Sequence, residues 1–406
     1  MSDQQSEGSF DVRVERPASG GGVGRAPDGR VTFIRFALSG ELVRVEVNEV
    51  TSSFYRGDAV DVLDASPERV TPPCPYFHPG GCGGCDLQEA SKSAQLGWKA
   101  ALVREHLRRI AGLDRDVVVT ATPGMGEGSR TRLRCGVDED GTLGLRQARS
   151  HELVAIDTCW ISDPVFSPAF GRVWPGVDEV ELRAIGDGTP FAVARRSAER
   201  GAQYDLRSLE GAPLDPSTHS RVGVRDHVYR VGPQSFWQSH RDAPELLLNT
   251  VLDFAEASAG DDVVDLFSGV GLFSVPLARI VGPGGRVSAV ESSAHAVHDA
   301  RENASGLRQL KVREWSVSPR SVNDTVRQGS IVVLDPPRHG LAKGVVDALA
   351  RRGPRRVVYV SCDAATFSRD LKDFLRNGFV LSDLRVFDLF PMTEHVELVS
   401  LLDSPA

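Results

Sequence analysis

The chain has 406 residues, which is too long for one ordinary domain, and 41% hydrophobic and 25% charged residues are typical of a globular protein with sizeable cores. No apolar run approaches the roughly 20 residues of a membrane-spanning helix. The polar first residues resemble neither a signal peptide nor a transit peptide, so we expect a cytoplasmic protein without a membrane partner. A net charge of −8 argues against a non-specific nucleic-acid coat protein. The arginines between residues 130 and 149 are either a local binding surface or an ordinary solvated face.

The N-terminal part of the sequence predicts a short disordered tail at residues 1–8 and a small β-barrel at residues 9–66. Strand-like runs occupy residues 10–14, 31–36, 42–50 and 59–63, with a glycine-rich turn at residues 19–24. Short strands joined by glycine turns favour a barrel of the oligonucleotide-binding kind.

Residues 67–232 predict a mixed α+β central domain that begins with a cluster of cysteines. The six cysteines are at positions 74, 82, 85, 135, 159 and 362, and three of them fall within twelve residues. Because no secretory signal is present, this clustering indicates metal or cluster ligation rather than disulfides. Apolar residues at helical spacing predict a helix over residues 89–112. Strand-like runs follow at residues 117–120, 153–156 and 222–224.

Residues 233–406 alternate between strand and helix patterns. Predicted strands at residues 263–267, 286–290, 330–334 and 356–360 alternate with predicted helices at 245–257, 294–304, 344–351 and 367–376, and two more strands end the chain. This order indicates a doubly wound, mostly parallel sheet. The predicted fold class is therefore multidomain α/β.

A candidate cofactor site follows the first strand of that sheet. The segment from Asp265 to Gly271 ends the strand and opens a helix, and its glycines allow the backbone to approach a ligand closely. Glu291 ends the next strand, twenty residues after Gly271, where a carboxylate can accept hydrogen bonds from ribose hydroxyls. Ser274 occupies the position of the third glycine of a dinucleotide-binding pattern. An adenosyl ligand without a pyrophosphate therefore fits better than a dinucleotide.

A candidate reaction centre follows two later strands. Asp335-Pro-Pro-Arg338 ends one strand, and its arginine replaces the aromatic residue that stacks the base in amino-group methyltransferases. Cys362 ends the next strand, where its thiol is either a nucleophile or a buried structural cysteine. Uracil C5 attacks a methyl donor only after a thiolate adds at C6, and a base must then remove the C5 proton. Glu394, His395 and Glu397 are the candidate bases.

In their order and spacing these motifs resemble the uracil-5 RNA methyltransferase family, and the N-terminal barrel resembles a TRAM domain, an RNA-binding module. The segments that carry the resemblance are Cys74…Cys82-Gly-Gly-Cys85-Asp-Leu-Gln88, Phe236-Trp-Gln238, the turn from Asp265 to Gly271, Glu291, Asp335-Pro-Pro-Arg338, Ser361-Cys362-Asp363 and His395-Val-Glu397. The resemblance covers nearly the whole chain. It implies a TRAM barrel, a cluster-bearing central domain and a Rossmann-like class I methyltransferase domain.

The resemblance also implies residue roles. Cys362 would attack C6 of uracil, and Glu397 would remove the C5 proton. S-adenosylmethionine would be bound by Gln238, Phe267, Glu291 and Asp335. A [4Fe–4S] cluster would be held by Cys74, Cys82, Cys85 and Cys159, with tetrahedral zinc as the alternative. RNA would be the partner of a monomeric enzyme, with 23S ribosomal RNA favoured over transfer RNA, and its contacts would include Tyr76, Phe77 and Arg132.

The sequence departs from the family pattern at four places. The first two cysteines are spaced C-x7-C instead of C-x5-C. Leu272 and His240 each replace a frequent Asn, and Asp363-Ala364 replaces Asn-Pro. Two other interpretations stay open at this point. A non-catalytic iron–sulfur RNA-binding protein would not need Cys362 and Glu397 together, and a cytosine-5 enzyme would have a different loop around its thiol.

Overall fold

In the computed structural model, the described residues are 8–122, 126–198 and 201–405. The predicted N-terminal tail lies outside these ranges except for Gly8. The described residues form a small barrel, a central antiparallel sheet and a large C-terminal sheet with helices on both faces. No helix among them combines the length and apolar character needed to cross a membrane.

The N-terminal barrel is closed by five strands in the order β1-β2-β3-β5-β4. The strands are β1 (Phe10–Ala18), β2 (Gly21–Arg25), β3 (Val31–Arg35), β4 (Leu42–Val50) and β5 (Phe54–Asp64). The barrel is confirmed, but strand β2 lies where the sequence predicts a glycine-rich turn. A Cβ on Gly22 would stand 2.4 Å from Val14, and one on Gly24 would stand 2.4 Å from the Arg13 carbonyl oxygen. These glycines therefore let β2 pair closely with β1.

The segment after the barrel is irregular until helix α1 (Lys92–His106), which continues as a π-helical turn (Leu107–Ala111). Ser91 caps α1 by accepting the Ala94 N–H. Strand β6 (Val119–Ala121) then pairs in parallel with a strand near the end of the chain. Helix α1 thus packs against the C-terminal sheet and β6 is part of that sheet. The residues of the central sheet nevertheless lie between these two elements and the rest of the C-terminal sheet in the sequence.

The central sheet has six strands in the order β12-β11-β10-β7-β8-β9, and a two-stranded hairpin follows it. These strands are β7 (Arg132–Val137), β8 (Leu143–Arg146), β9 (Leu153–Ala155), β10 (Glu179–Arg183), β11 (Phe191–Ala198), β12 (Gly201–Ser208), β13 (Ser220–Val224) and β14 (His227–Val231). The buried side chains of Leu133, Val180, Leu182 and Trp174 form its core. The long hairpin of β11 and β12 escapes sequence-based prediction because its outer strand is almost entirely exposed.

The C-terminal sheet has eight strands in the order β17-β16-β15-β18-β19-β21-β20-β6. Its remaining strands are β15 (Asp262–Leu266), β16 (Arg286–Glu291), β17 (Leu310–Glu314), β18 (Ile331–Leu334), β19 (Arg356–Ser361), β20 (Val380–Asp388) and β21 (Glu397–Asp403). The helices are α2 (Ala243–Ala255), α3 (Ser274–Val281), α4 (Ala294–Asn303), α5 (Pro319–Thr325), α6 (Val345–Arg352) and α7 (Ala364–Arg376). The predicted doubly wound sheet is confirmed, with β17 and α5 as additions.

Two apolar clusters sandwich this sheet. Helices α2, α3 and α4 pack on one face, and helices α1, α5, α6 and α7 pack on the other. Strands β15 to β19 run parallel, so their carboxyl ends meet at one edge of the sheet. Strand β21 runs antiparallel to β19, which brings the beginning of β21 to that same edge. The sheet therefore collects the ends of five strands and the start of a sixth at one place.

Candidate active site

The turn after β15 is built around a buried aspartate. Asp265 is completely buried, and one of its carboxylate oxygens accepts a hydrogen bond from the Ser274 hydroxyl. The other oxygen, Oδ1, has no hydrogen-bond partner among the described residues. Burial raises the pKa of Asp265 to about 7, with the charge of Glu291 acting in the same direction. An unsatisfied buried acceptor at this place suits a ligand that brings a hydrogen-bond donor.

The glycine turn beside Asp265 holds the next carboxylate in place. Phe267 has a φ of +66° and Gly269 a φ of +53°, so the chain turns sharply away from the strand. Glu291 Oε2 accepts the Gly269 N–H at 3.0 Å, and Oε1 accepts the N–H groups of Ser292 and Ser293 at 2.7 Å each. Glu291 is thus fixed against the turn and still partly exposed to a ligand.

Asp335 faces this turn from the end of β18. Its N–H donates to the Leu266 carbonyl at 3.4 Å, and its Oδ2 accepts from Gln238 Nε2 at 3.4 Å. Burial and the charge of Asp265 raise the pKa of Asp335 to about 7. All four of the predicted cofactor-binding residues therefore lie around one edge: Gln238, Phe267, Glu291 and Asp335.

Cys362 and Glu397 stand across from each other at that edge. The last residue pair of the β19–β21 ladder is Ser361 with Leu398. One step beyond it come Cys362 and Glu397, and directly opposed residues of antiparallel strands point to the same side of a sheet. The Glu397 side chain is buried, at 4% exposure, whereas Cys362 is half-buried. The strand register thus brings together the predicted nucleophile and the predicted base.

Acidic groups and the guanidinium of Arg338 lie close enough together at the site to change one another's protonation. Burial first, and then the charge of Glu397, raises the pKa of Cys362 to about 12. Burial and the charge of Asp335 raise the pKa of Glu397 well above its usual range. The guanidinium of Arg338 opposes both shifts, because a nearby positive charge lowers the pKa of the Cys362 thiol and of the Glu397 carboxyl.

The other two candidate bases are placed differently. The carboxylate of Glu394 accepts hydrogen bonds from the Ser19 hydroxyl and from the Gly20 N–H, both in the N-terminal barrel. His395 packs its ring edge-on against Phe390, with centroids 6.1 Å apart, and burial lowers its pKa. Of the three acidic or basic side chains, Glu397 is the one that raises the pKa of Cys362 by its charge.

The departures from the family pattern have local structural accounts. Asp363 caps helix α7 by accepting the Thr366 N–H at 2.7 Å, which is a role that asparagine also performs. Leu272 is buried, and its carbonyl accepts a hydrogen bond from Tyr229. His240 is buried, and its Nδ1 accepts the Asp242 N–H at 3.1 Å.

The predicted cysteine ligands line one cavity. Its volume is about 350 Å³, and its walls include all four thiols, together with Arg130 and Trp160. The thiols belong to Cys74, Cys82, Cys85 and Cys159. The pKa values of three of these thiols, Cys82, Cys85 and Cys159, are raised, mainly because the thiols are buried. Cys135 lies apart from this wall, buried in the core of the central sheet.

The long C-x7-C spacing is absorbed by a tight loop. The Cys82 N–H donates to the Tyr76 carbonyl at 2.8 Å, and the Gly81 N–H donates to the His78 carbonyl at 2.9 Å. The extra residues therefore fold back on themselves, and Cys74 and Cys82 still reach the same cavity. Within residues 8–122, 126–198 and 201–405, no three His, Cys, Asp or Glu side chains stand close enough to hold a single metal ion.

The three predicted RNA contacts, Tyr76, Phe77 and Arg132, differ in their surroundings, and the exposed Phe236 lies next to one of them, Arg132. Phe236 is 52% exposed beside the candidate active site, and the Arg132 guanidinium lies 5.9 Å from its ring centroid. Tyr76 donates its hydroxyl to Asp157 at the protein surface. Phe77 is only 8% exposed because it packs edge-on against Phe36 of the barrel. The structure therefore argues against Phe77 as a stacking surface for RNA.

Comparisons with known proteins agree with this architecture. A model of the family described as tRNA (uracil-5-)-methyltransferase matches residues 217–404, and a TRAM domain model matches residues 9–60. An uncharacterised RNA methyltransferase of Streptomyces avermitilis is 37% identical over 98% of this chain and 98% of its own length.

Two further relatives have specific descriptions. A protein of Halomonas elongata described as 23S rRNA (uracil(1939)-C(5))-methyltransferase RlmD is 32% identical over 98% of this chain and 90% of its own length. The crystal structure of Pyrococcus abyssi tRNA (uracil-54, C5)-methyltransferase with S-adenosyl-L-homocysteine is similar, with a TM-score of 0.71 and 26% identity. It covers 96% of this chain and 99% of that one.

Proposed function

Because this chain belongs to the RNA uracil-5 methyltransferase family, we propose that it methylates C5 of a uridine in RNA through a covalent bond between Cys362 and C6. The observation that carries the proposal is the opposition of Cys362 and Glu397 beside Asp335. The chemistry at C5 requires a thiol nucleophile and a base. Here a thiol and a buried carboxyl lie at the same edge of the sheet on two neighbouring strands.

S-adenosylmethionine would occupy the edge formed by the glycine turn, Glu291, Gln238 and Asp335, and it supplies an electrophilic methyl group there. The site fits such a ligand, because Glu291 presents a partly exposed carboxylate for ribose hydroxyls and Asp265 offers a buried acceptor without a partner. Phe267 begins the sharp turn that opens this space. The P. abyssi relative, described with S-adenosyl-L-homocysteine, supports the same assignment.

The reaction begins at Cys362. Its thiolate forms a bond to C6 of uracil, and the electrons of the C5–C6 double bond move onto the C4 carbonyl oxygen. The resulting enolate carbon, C5, would bond to the methyl group while the bond from that methyl group to the sulfonium sulfur of S-adenosylmethionine breaks, which leaves S-adenosyl-L-homocysteine. Glu397, as a carboxylate, then removes the C5 proton; the C5–C6 double bond re-forms and the C6–sulfur bond breaks. Cys362 leaves as a thiolate, and Glu397 releases its proton to solvent.

The site has to ionise two acidic groups at once. Burial holds the pKa of Cys362 near 12, with the charge of Glu397 acting in the same direction, and burial together with the charge of Asp335 holds the pKa of Glu397 well above its usual range. Arg338 favours both anionic forms by its charge. The reaction therefore speeds up as the pH rises, because a larger fraction of Cys362 becomes a thiolate.

We favour 23S ribosomal RNA as the substrate, with transfer RNA as the alternative. The H. elongata relative, described as a 23S rRNA enzyme, supports this choice with 32% identity over 98% of this chain, whereas the P. abyssi relative, described as a tRNA enzyme, is 26% identical over 96% of this chain. The exposed Phe236 and the partly buried Arg132 would meet the RNA next to the extruded uridine. A substrate of this kind also implies the predicted cytoplasmic location.

A [4Fe–4S] cluster would be held by Cys74, Cys82, Cys85 and Cys159. Four thiols around a cavity of about 350 Å³ suit a group larger than a single ion. Anaerobically purified protein is expected to be brown and to contain roughly four iron and four sulfide per chain. Stoichiometric zinc without sulfide would contradict this assignment and favour the tetrahedral alternative.

The reaction can be tested by the fate of the C5 proton. RNA transcribed with uridine tritiated at C5 should release tritium to water only when both the enzyme and S-adenosylmethionine are present. Ribosomal RNA from a deletion strain should release more than RNA from the parent strain, whose target is already methylated. Methyl incorporation without tritium release would contradict methylation at C5.

A further inference from the structure

The loop between β20 and β21, residues 389–396 and here called the base loop, ends immediately before Glu397. Both of its ends are fixed in the sheet, because Phe387 pairs with Glu397 across β20 and β21. Its own internal hydrogen bonds are few: the Thr393 N–H and hydroxyl bond to the Phe390 carbonyl, and the His395 N–H bonds to Thr393. The shape of the loop is therefore imposed by other elements.

Met392 is the centre of these outside contacts. It has a φ of +63°, an unfavourable backbone conformation for a residue with a side chain, and it is 4% exposed. Its N–H donates to Gln95 Oε1 at 3.2 Å, and Gln95 Nε2 donates to its sulfur at 3.2 Å. Gln95 is buried on helix α1, so this helix holds Met392 in a conformation that the loop would not adopt unaided.

The segment that carries the cysteines also forms hydrogen bonds with Met392. The N–H groups of Asp86 and Leu87, which directly follow Cys85, both donate to the Met392 carbonyl at 2.8 and 3.0 Å. The side chain of Asp86 also accepts the Glu394 N–H at 3.3 Å. Met392 packs in one apolar cluster with Cys85 and with Phe36 of the barrel.

The barrel provides the third contact through Glu394. One oxygen of its carboxylate accepts the Ser19 hydroxyl at 2.6 Å, and the other accepts the Gly20 N–H. Ser19 and Gly20 form the turn between β1 and β2, 374 or more residues away in sequence. Helix α1, the cysteine segment and the barrel therefore meet on one loop.

We propose that Gln95 and Glu394 are positioning residues, which hold the base loop so that Glu397 reaches the C5 proton of the uridine. The inference rests on the proposed role of Glu397 as the base. Neither residue touches the uridine in this account; each acts through the backbone of the base loop. The contacts at Asp86 and Ser19 further make the position of Glu397 depend on the segments proposed to bind the cluster and the RNA.

The step that depends on Glu397 gives a specific signature. When proton removal is slow, Cys362 stays bonded to C6 after the methyl group has been transferred, so a covalent protein–RNA complex accumulates. This complex should form with ordinary uridine RNA, without a trapping analogue. A variant that is merely damaged in folding or in RNA binding forms less of it than the wild type.

The experiment compares Gln95→Leu and Glu394→Ala with Glu397→Gln, using S-adenosylmethionine, ordinary uridine RNA and denaturing gels. Glu397→Gln should accumulate the complex strongly. Gln95→Leu and Glu394→Ala should also accumulate it above the wild-type level, with kcat reduced roughly 10- to 100-fold because small displacements of a catalytic group have effects of that size, and without a rise in KM for RNA. Glu394→Gln, which keeps an acceptor oxygen for Ser19, should retain more activity than Glu394→Ala.

Glu49→Ala is the matched control, because Glu49 is a barrel carboxylate that pairs with Arg56 and makes no contact with the base loop. It should behave as the wild type. Unchanged kcat in both Gln95→Leu and Glu394→Ala would overturn the inference, and so would a loss of kcat without the covalent complex. Failure of Glu397→Gln itself to accumulate the complex would remove the proposed base, and this inference with it.

Discussion

Burial of Cys362 and Glu397 conflicts with the negative charge that each group must carry when it reacts. Burial of both groups raises the pKa of each, and each group must be an anion when it reacts. Arg338 is exposed on the neighbouring loop, and its charge lowers both pKa values. The site thus keeps its thiol protonated at rest, which protects it from side reactions, and relies on nearby positive charge for activation.

Replacement of Arg338 by glutamine should shift the pH profile. Without the guanidinium, the pKa of Cys362 and that of Glu397 rise further, so the rising limb of kcat/KM moves to higher pH. A shift of one unit corresponds to about a tenfold loss at pH 7.5. Arg351→Gln, which changes an exposed arginine on α6, should leave the profile unchanged. An equally large loss of activity in Arg338→Lys, which keeps the positive charge, would contradict an electrostatic role.

Asp335→Asn should stabilise the protein while it reduces activity. The pKa of Asp335 is raised from 3.8 to about 7, so its contribution to stability is present at acid pH and is lost as the pH rises through that interval. At pH 8 the variant should therefore be more stable by about 1–2 kcal/mol, and its advantage should narrow toward pH 5. Thermal denaturation measures this, with the exposed Asp324→Asn as the control.

The sequence predicts most of this site because its residues follow strands in chain order. Asp265, Glu291, Asp335 and Cys362 each end a strand of one parallel sheet, which the alternation of strands and helices already indicates. Residue types and position alone leave Glu394, His395 and Glu397 as candidate bases, and it is the resemblance to the family that implies Glu397. The different placement of Glu394 depends on a turn of the base loop that directs Glu394 to the barrel, 375 residues away from Ser19, and no local pattern reports such a contact.

At the level of elements, helix α1 is attached to the C-terminal sheet by a buried ion pair. Lys99 is completely buried, and its Nζ contacts the carboxylate of Asp388 and the Phe390 carbonyl, at the start of the base loop. Burial lowers the pKa of Lys99, and the charge of Asp388 opposes that shift. A lysine on the apolar face of a helix is hard to interpret from sequence, because its partner lies 289 residues away.

Lys99→Met should destabilise the protein strongly. It leaves the Asp388 carboxylate buried without its cation, and breaking one partner of a buried pair costs about 3–5 kcal/mol. The double variant Lys99→Met/Asp388→Asn should recover much of that loss because it removes the unpaired charge. Chemical denaturation measures both variants. Equal stability of the single variant and the wild type would contradict the importance of this pair.

Two strands, β6 and β2, are the least predictable from sequence. Strand β6 looks like a short central-domain strand, yet it completes the C-terminal sheet beside β20. Strand β2 falls in a glycine-rich segment that predicts a turn, because its glycines serve close strand pairing rather than chain reversal. The partner of β6 is remote in sequence, whereas β2 pairs with its neighbours β1 and β3.

Across the whole molecule, three parts of the chain converge on the edge where the methyl group would be transferred. The barrel reaches the base loop through Ser19 and Gly20, and the cysteine segment reaches it through Asp86. The exposed Phe236 and the partly buried Arg132 lie on the side of the central sheet that adjoins Gln238. A protein built in this way can bind RNA over a wide surface and still hold its reacting groups on a rigid sheet.

Attack of Cys362 on C6 of a uridine is the step on which the proposed function depends. Fluorine at C5 cannot be removed as a proton, so 5-fluorouridine-substituted RNA should trap the enzyme. Incubation with this RNA and S-adenosylmethionine should yield a covalent complex that survives denaturation, carries the transferred methyl group and is absent with Cys362→Ala. A stable complex formed by Cys362→Ala, or none formed by wild-type enzyme that binds S-adenosylmethionine and RNA, would contradict the account.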